Sequence, residues 1–227
     1  MSMLTIGGLC WLCEMPLHLS RHGLCACCLR HLVMPPVCPR CGLPATPDLP
    51  CGRCLRRPPP WQSLLAVTDF APPLSTLVHR LKFSGAPELA PVLARLLLLR
   101  WLAARREGRM VRPDRLISVP LHRRRQWRRG YNQSDLLARP LAHWLGCDWQ
   151  PDTLMRCRVT PSQRELTAVR RRRNLRGAFR CTQDLAGLHV ALVDDVVTTG
   201  STVAEICGLL NRAGVASIQI WCLCRTL

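Results

Sequence analysis

From residue 61 onward the apolar positions alternate between two spacings. Leu64 to Phe70 is a mostly apolar run of strand length, and Leu74 to Phe83 repeats its apolar residues at the three-and-four spacing of a helix. Glu88 to Arg106 predicts a long amphipathic helix whose leucines pack inward as core. Arg115 to Val119 reads as a strand and Asn132 to Gly146 as a helix disturbed at Pro140, where a backbone donor is missing. His189 to Val193 is a buried strand, Ser201 to Ala213 a helix stopped by Gly214, and Ala216 to Leu223 a final strand. Strands and helices in alternation predict an α/β fold with a parallel sheet covered by helices.

No apolar run reaches the ~18 residues of a membrane span. Even Leu96 to Leu99 is bracketed by Arg95 and Arg100. The first residues, MSMLTIGGLCWLC, have neither a basic start nor a long apolar stretch, so no secretory signal is expected. These features predict a cytoplasmic protein without membrane insertion.

The first sixty residues follow a different rule. Nine of the fifteen cysteines lie between Cys10 and Cys54, ahead of the turn-forming RRPPPW segment. That shift divides the chain into residues 1–60, a cysteine-dense head with a Pro-rich linker, and residues 61–227, the α/β body. An odd cysteine count in an unsecreted chain favours reduced thiols and metal over disulfides.

Four C-x-x-C pairs stand in order: Cys10 and Cys13, Cys25 and Cys28, Cys38 and Cys41, Cys51 and Cys54. Two thiolates three positions apart can turn toward one tetrahedral ion, and a second pair across a short hairpin completes a four-cysteine shell. Eight ligands make two structural Zn²⁺ sites, and Gly42 and Gly52 allow tight turns beside them. Spacing alone leaves open which pairs combine. Cys27 is a spare thiol, and His18, His22 and His31 are expected outside the shells. So small a head folds largely on metal. If head and body fold separately, loss of Cys38 and Cys41 should leave the body able to bind its ligand.

Charge narrows the ligand class. The net charge is +18, and between Arg112 and Arg180 seventeen arginines face five acids, so 12 of those charges fall in one third of the chain. A local field of this kind favours anions. The segment VALVDDVVTTGSTVAE then runs from an apolar strand through two acids into a Thr/Gly-rich turn and a helix. Ligands of open α/β sheets gather at the carboxyl ends of strands, where Asp194 and Asp195 should emerge. Thr198, Thr199, Gly200, Ser201 and Thr202 offer hydroxyls and backbone N–H groups at a helix start, where a phosphate can approach closely. The carboxylates beside it can accept hydrogen bonds from ribose hydroxyls or help hold a hydrated Mg²⁺. Neither G-x-G-x-x-G nor a GK[ST] ending is present, which excludes the dinucleotide and nucleoside-triphosphate loops.

Val190 to Thr202 resembles the ribose-phosphate diphosphate motif of type I phosphoribosyltransferases, four apolar residues followed by DDhhTTGST. With the cysteine pairs and the blocks APPLSTLVHRLKFSG, SVPLHRRRQWRRGYNQSDLLA and RCRVTPSQRELTAVRRRRNLRGAF, nearly the whole chain resembles the ComF/GntX family, its enterobacterial branch above all. The resemblance implies a type I phosphoribosyltransferase-like fold with an N-terminal double zinc ribbon. It also implies a 5-phosphoribosyl diphosphate ligand carried with Mg²⁺, and an association with uptake or use of DNA. Tyr131 stands where the family more often has Phe.

On this fold Pro120 ends a strand at the diphosphate-binding loop, and Arg123, Arg124, Arg128 and Arg129 follow with planar donors suited to diphosphate oxygens. Residues 156–180 match a mobile loop that closes over substrate, with Arg156 and Arg170 the leading contacts and Thr160, Gln163 and Asn174 its polar candidates. Lys82, the one lysine in the chain, is a candidate phosphate contact beside the alternative of a solvated helix-end charge.

Two classes of function fit these residues. In one, Asp194 and Asp195 fix a ribose whose diphosphate departs under arginine and Mg²⁺ stabilisation, and a nucleophile attacks C1. In the other, the fold binds without turnover, either as a regulatory sensor of the diphosphate compound or as a holder of single-stranded DNA, with Trp127 or Tyr131 for stacking. DNA-uptake machinery is a further candidate partner.

Overall fold

The computed structural model describes residues 8–46, 49–121, 126–127, 129–157, 175 and 177–227. Its strands are β1 (Ser63–Asp69), β2 (Arg115–Ser118), β3 (Asp148–Trp149), β4 (Leu154–Arg156), β5 (Phe179–Cys181), β6 (His189–Val197) and β7 (Ser217–Arg225). Five of them form a parallel sheet in the order β1-β7-β6-β2-β3, and β4 and β5 make a separate antiparallel pair. The helices are α1 (Ala26–Arg30), α2 (Gly52–Arg56), α3 (Leu74–Phe83), α4 (Leu89–Arg106), α5 (Gln133–Leu145) and α6 (Ser201–Arg212). None among the described residues is long and apolar enough to cross a membrane.

The central strands are apolar on both faces because helices cover both. Leu65 and Val67 of β1, Ala191 and Val193 of β6, and Trp221 and Leu223 of β7 face the layer built by α3, α4 and α5. Their neighbours Leu64 and Ala66, Val190 and Leu192, and Ile220 and Cys222 face the layer of α6. α5 is capped by the Asn132 side chain, which accepts from the Ser134 N–H, and ends on Gly146 in the left-handed region. Pro140 lies inside this helix and does not end it.

β6 runs further than its apolar stretch predicts. Val196 and Val197 still pair with Cys224 and Arg225 of β7, so Asp194 and Asp195 lie within the strand. On the other side β2 stops at Ser118, opposite Val193. From Asp194 onward one edge of β6 is therefore open. The chain leaves β2 toward α5 on one face and β6 toward α6 on the other, which opens a crevice between the two strand ends.

The cysteine-rich head covers the outer edge of β1. The Leu64 N–H donates to the Pro39 carbonyl at 2.9 Å, and the Thr68 hydroxyl donates to the Val33 carbonyl at 3.1 Å. Unpaired edge groups thereby find partners within the chain. Cys10, Leu17, Leu24 and Leu32 share one core with α4, and the Arg80 guanidinium lies 4.9 Å from the Trp11 ring centroid. Gly42 takes a left-handed φ of 68°, as its knuckle turn requires. Gly52 needs no such freedom, because it is the first residue of α2.

The seam between head and α4 depends on Gly23, at φ 67° and so close to Val92 that an added Cβ would lie 2.2 Å from a Val92 methyl. Gly23→Ala should lower unfolding free energy by about 2 kcal/mol or more, combining left-handed strain with overpacking. In urea titrations Gly23→Ala with Val92→Ala should cost less than the sum of the single changes, since the pair shares one clash. Strict additivity would show that the seam is not packed this way.

Candidate phosphate-binding site and metal centres

The crevice holds a small cup lined by Asp194 and residues 196–203. Its rim is the turn from β6 into α6, where Thr198 and Thr199 are exposed and Gly200, at φ 75°, occupies the N-cap. The Thr199 hydroxyl lies 2.9 Å from the Ser201 hydroxyl, and the Ser201 N–H points back to Thr199 Oγ1 at 3.4 Å. Backbone donors at the start of α6, two hydroxyls and the positive end of the helix dipole converge there. Groups of these kinds are suited to an anion.

The two acids have different surroundings, because adjacent strand residues point to opposite faces. Asp194 opens onto the cup. Its Oδ1 accepts the Asp195 N–H at 2.8 Å, and the Ser134 hydroxyl also reaches it. Burial of the carboxyl, then the neighbouring Asp195 carboxylate, push its pKa up to about 8 against the opposing pull of Lys82.

Asp195 is turned into the protein and buried. One oxygen pairs with the Lys82 ammonium at 2.8 Å, and the other accepts from Gln133 Nε2 at 2.5 Å. Gln133 in turn accepts from the Arg129 guanidinium, which also lies 5.3 Å from the Phe83 ring centroid. The Tyr131 hydroxyl donates to the Leu81 carbonyl at 2.5 Å. The end of α3 and the start of α5 are thus laced together around Asp195. Lys82, a candidate phosphate contact by sequence, is engaged with this carboxylate.

A larger cavity of about 580 Å³ lies beyond β2, with Pro120, Trp127, Asn132, Asp135, Asp152 and Arg156 among its walls. Burial, with a smaller push from Asp152, raises the Asp135 pKa. The Arg156 guanidinium lies 5.5 Å from the Phe179 ring centroid. The predicted residues therefore divide: Asp194 and Thr198 to Thr202 share the cup, Pro120 and Arg156 the larger cavity, and Lys82 joins Asp195. Arg123 and Arg170, with Arg124, Arg128, Thr160, Gln163 and Asn174, lie outside the described residues. Gln133 and Ser134 escaped the sequence reading, although Asn132 before an apolar helix marks the N-cap that delivers them to the crevice.

The eight paired cysteines form two clusters, Cys10, Cys13, Cys25 and Cys28 in one and Cys38, Cys41, Cys51 and Cys54 in the other, each with its sulfurs within 4.8 Å of one another. Both repeat one design. The first pair of each sits in a knuckle closed by a single bridge, Leu9 with Pro16 or Val37 with Pro44. The second pair opens a short helix, with Cys25 or Cys51 as N-cap, in place of a second hairpin arm. The Cys25 N–H donates to Cys10 Sγ at 3.4 Å, and the Cys51 N–H to Cys38 Sγ at 3.3 Å.

Burial opposes ionisation of Cys10 and Cys38, but N–H donors overcome it and bring these thiols down to about 6 and about 7. Burial holds Cys28 and Cys54 well above the usual thiol range. Four convergent thiols, one ready to ionise, fit a closed tetrahedral Zn²⁺ shell whose role is to hold the fold. Cys27 stays outside, an exposed thiol near the Arg30 guanidinium.

Comparison with known proteins bears on the α/β body and on the family. Residues 158–227 match the family profile described as a phosphoribosyl transferase domain. The chain is 60% identical to the DNA utilization protein YhgH of Salmonella typhimurium over 227 residues, covering 99% of this chain and all of that protein. The protein of the same description from Escherichia coli K12 is 57% identical over equal coverage. Competence protein F of Haemophilus influenzae is 40% identical over 220 residues, 95% of this chain and 96% of its own length.

Elemental analysis of protein purified without chelators should find two zinc ions per chain, and a value near zero would exclude metal from the clusters. Lys82→Met should cost about 2 kcal/mol in denaturant unfolding by leaving the Asp195 carboxylate buried without its cation. Adding Asp195→Asn should restore much of that loss. A double variant no more stable than Lys82→Met would show that the ion pair is not what holds these elements.

Proposed function

Because this chain belongs to the ComF/GntX family of phosphoribosyltransferase-like proteins, we propose that its crevice binds 5-phosphoribosyl diphosphate. The observation that carries the proposal is Asp194, at the floor of a cup whose rim is the Thr198 to Thr202 turn. The ligand's 5-phosphate occupies the turn, taking backbone N–H groups and the Thr and Ser hydroxyls. A ribose hydroxyl donates to Asp194. The diphosphate extends toward Pro120 and the arginine-rich segment after it, with Mg²⁺ held by the ligand's own phosphate oxygens and water.

In a transfer reaction the C1–oxygen bond to diphosphate breaks and the electron pair leaves with the diphosphate. A nucleophile then forms the new bond at C1. Asp194 beside the ribose stabilises positive charge growing at that carbon. Relatives described as a DNA utilization protein and as a competence protein support a role for such a pocket in DNA utilization or competence. A second reading, single-stranded DNA binding, draws on Trp127, whose side chain is 88% exposed on the wall of the larger cavity and free to stack on a base. Both activities belong in the cytoplasm.

The pKa of Asp194 gives the proposal a pH signature. The groups facing it are Asp195, Lys82, the Ser134 hydroxyl and the Cys222 thiol. Its folded pKa, about 8, lies above the ~4 of an unfolded Asp, so the native state loses stability from this group as pH rises through that window. A ribose hydroxyl donating to the carboxylate favours the ionised form. Calorimetry with 5-phosphoribosyl diphosphate and Mg²⁺ between about pH 6 and 9 should therefore show affinity rising by up to about tenfold per unit to pH 8 and then levelling. Asp194→Asn should flatten this pH dependence and weaken binding at least about tenfold above pH 8, where the wild-type carboxyl is ionised and its removal also slightly strengthens single-stranded DNA binding. Equal affinities for wild type and Asp194→Asn would remove the ribose from this site.

A further inference from the structure

Three successive carbonyls of the second cysteine knuckle point into the body. Pro39 accepts from the Leu64 N–H at 2.9 Å, Arg40 from Trp61 Nε1 at 2.6 Å, and Cys41 from Arg225 Nε at 2.9 Å. Two of these donors belong to side chains that also touch the phosphate turn. The Arg225 guanidinium donates through Nη1 to the Val197 carbonyl at 3.0 Å and to the Thr198 carbonyl, and Arg225 is only 6% exposed. The Trp61 ring, also buried, would lie 3.5 Å from a Cβ placed on Gly200. One face of each side chain holds the knuckle and the other supports the turn.

The electrostatics point the same way. Arg225 is a buried cation hydrogen-bonded to carbonyl dipoles, an arrangement that needs a nearby counter-charge. Four thiolates around a divalent ion carry a net charge of about −2, whereas four protonated thiols carry none. Cys41 belongs to that shell, and its carbonyl is the acceptor for Arg225. The first cluster docks elsewhere, against α4 through Gly23 and Val92 and against Arg80 through Trp11.

We propose that Arg225 and Trp61 are positioning residues through which metal at the second cluster holds the phosphate turn in its binding shape. The inference rests on the ligand reading above. Metal loss or thiol oxidation at Cys38, Cys41, Cys51 and Cys54 then weakens phosphate binding, and the same loss at the first cluster weakens it far less. The head controls the site, and loss of Cys38 and Cys41 does not leave the body's pocket intact.

The test uses the full chain with three readouts: zinc content, hydrogen exchange of residues 197–202, and calorimetric affinity for inorganic phosphate and for 5-phosphoribosyl diphosphate with Mg²⁺. Arg225→Lys and Trp61→Phe keep all eight ligands. Each should retain two zinc ions, speed exchange of the turn, and weaken both ligands about tenfold. Cys51→Ser should lose one zinc with the same effect on the turn, and Cys13→Ser should lose one zinc with a much smaller effect. Wild-type exchange and affinity in both Arg225→Lys and Trp61→Phe would overturn the proposal, as would equal effects from the two cysteine variants. If Cys51→Ser fails to fold, the two zinc-retaining variants decide. If wild type binds neither ligand, the ligand reading fails, and faster turn exchange in Cys51→Ser than in Cys13→Ser still establishes the coupling.

Discussion

A carboxylate taken out of water must be met by a cation or by donors, and in this protein that demand at Asp195 organises the crevice. Lys82 arrives from the end of α3, Gln133 from the first turn of α5, and Asp195 itself from mid-β6. Three elements distant in sequence are thereby fixed to one another at the point where β6 loses its β2 neighbour. With one acid committed to holding the walls, the adjacent Asp194 is left facing the cup. A pair that looks redundant in sequence divides into a structural carboxylate and one that lines the cup, because the strand turns consecutive residues to opposite sides.

Much of this fold was legible in the chain. α3 falls on the predicted residues, and α4, α5, α6 and the long strands lie within a few residues of theirs, because an apolar stripe of fixed period has few ways to be buried. The C-x-x-C spacing likewise identified all eight clustered thiols. Less visible was anything decided by tertiary partners. β6 extends through two acids because β7 continues beside it, and the short strands β3, β4 and β5 carry too little pattern to be seen alone. Pro140 stays inside α5, where packing of Leu137, Ala138 and Leu141 outweighs the missing donor. The partners of Lys82 and the double attachment of Arg225 lie far from them in sequence, so no local pattern announces either.

Both cysteine clusters use the same local chemistry in different settings. Each draws an N–H from the second pair onto the first cysteine, which favours the thiolate before any ion arrives. The first presses a glycine against α4 and extends the core. The second offers carbonyls to an edge strand and to two side chains beside the Thr198 to Thr202 turn. Two units of one local design thus pack differently, one against α4 and the other beside the Thr198 to Thr202 turn.

The sheet order also governs how the protein is made. Among the described residues β1, the first strand, pairs only with β7, the last, from Ser63 against Gln219 to Asp69 against Arg225. Nascent β1 must therefore wait while some 150 residues of intervening chain emerge before its partner exists, the kind of long-range closure that slows folding and exposes apolar edges. The knuckle whose Pro39 carbonyl accepts from the Leu64 N–H of β1 is already synthesised by then. The outer edge of β1 thus has its partner within the chain made so far, and the edge that β7 will take is the one left exposed in the interval.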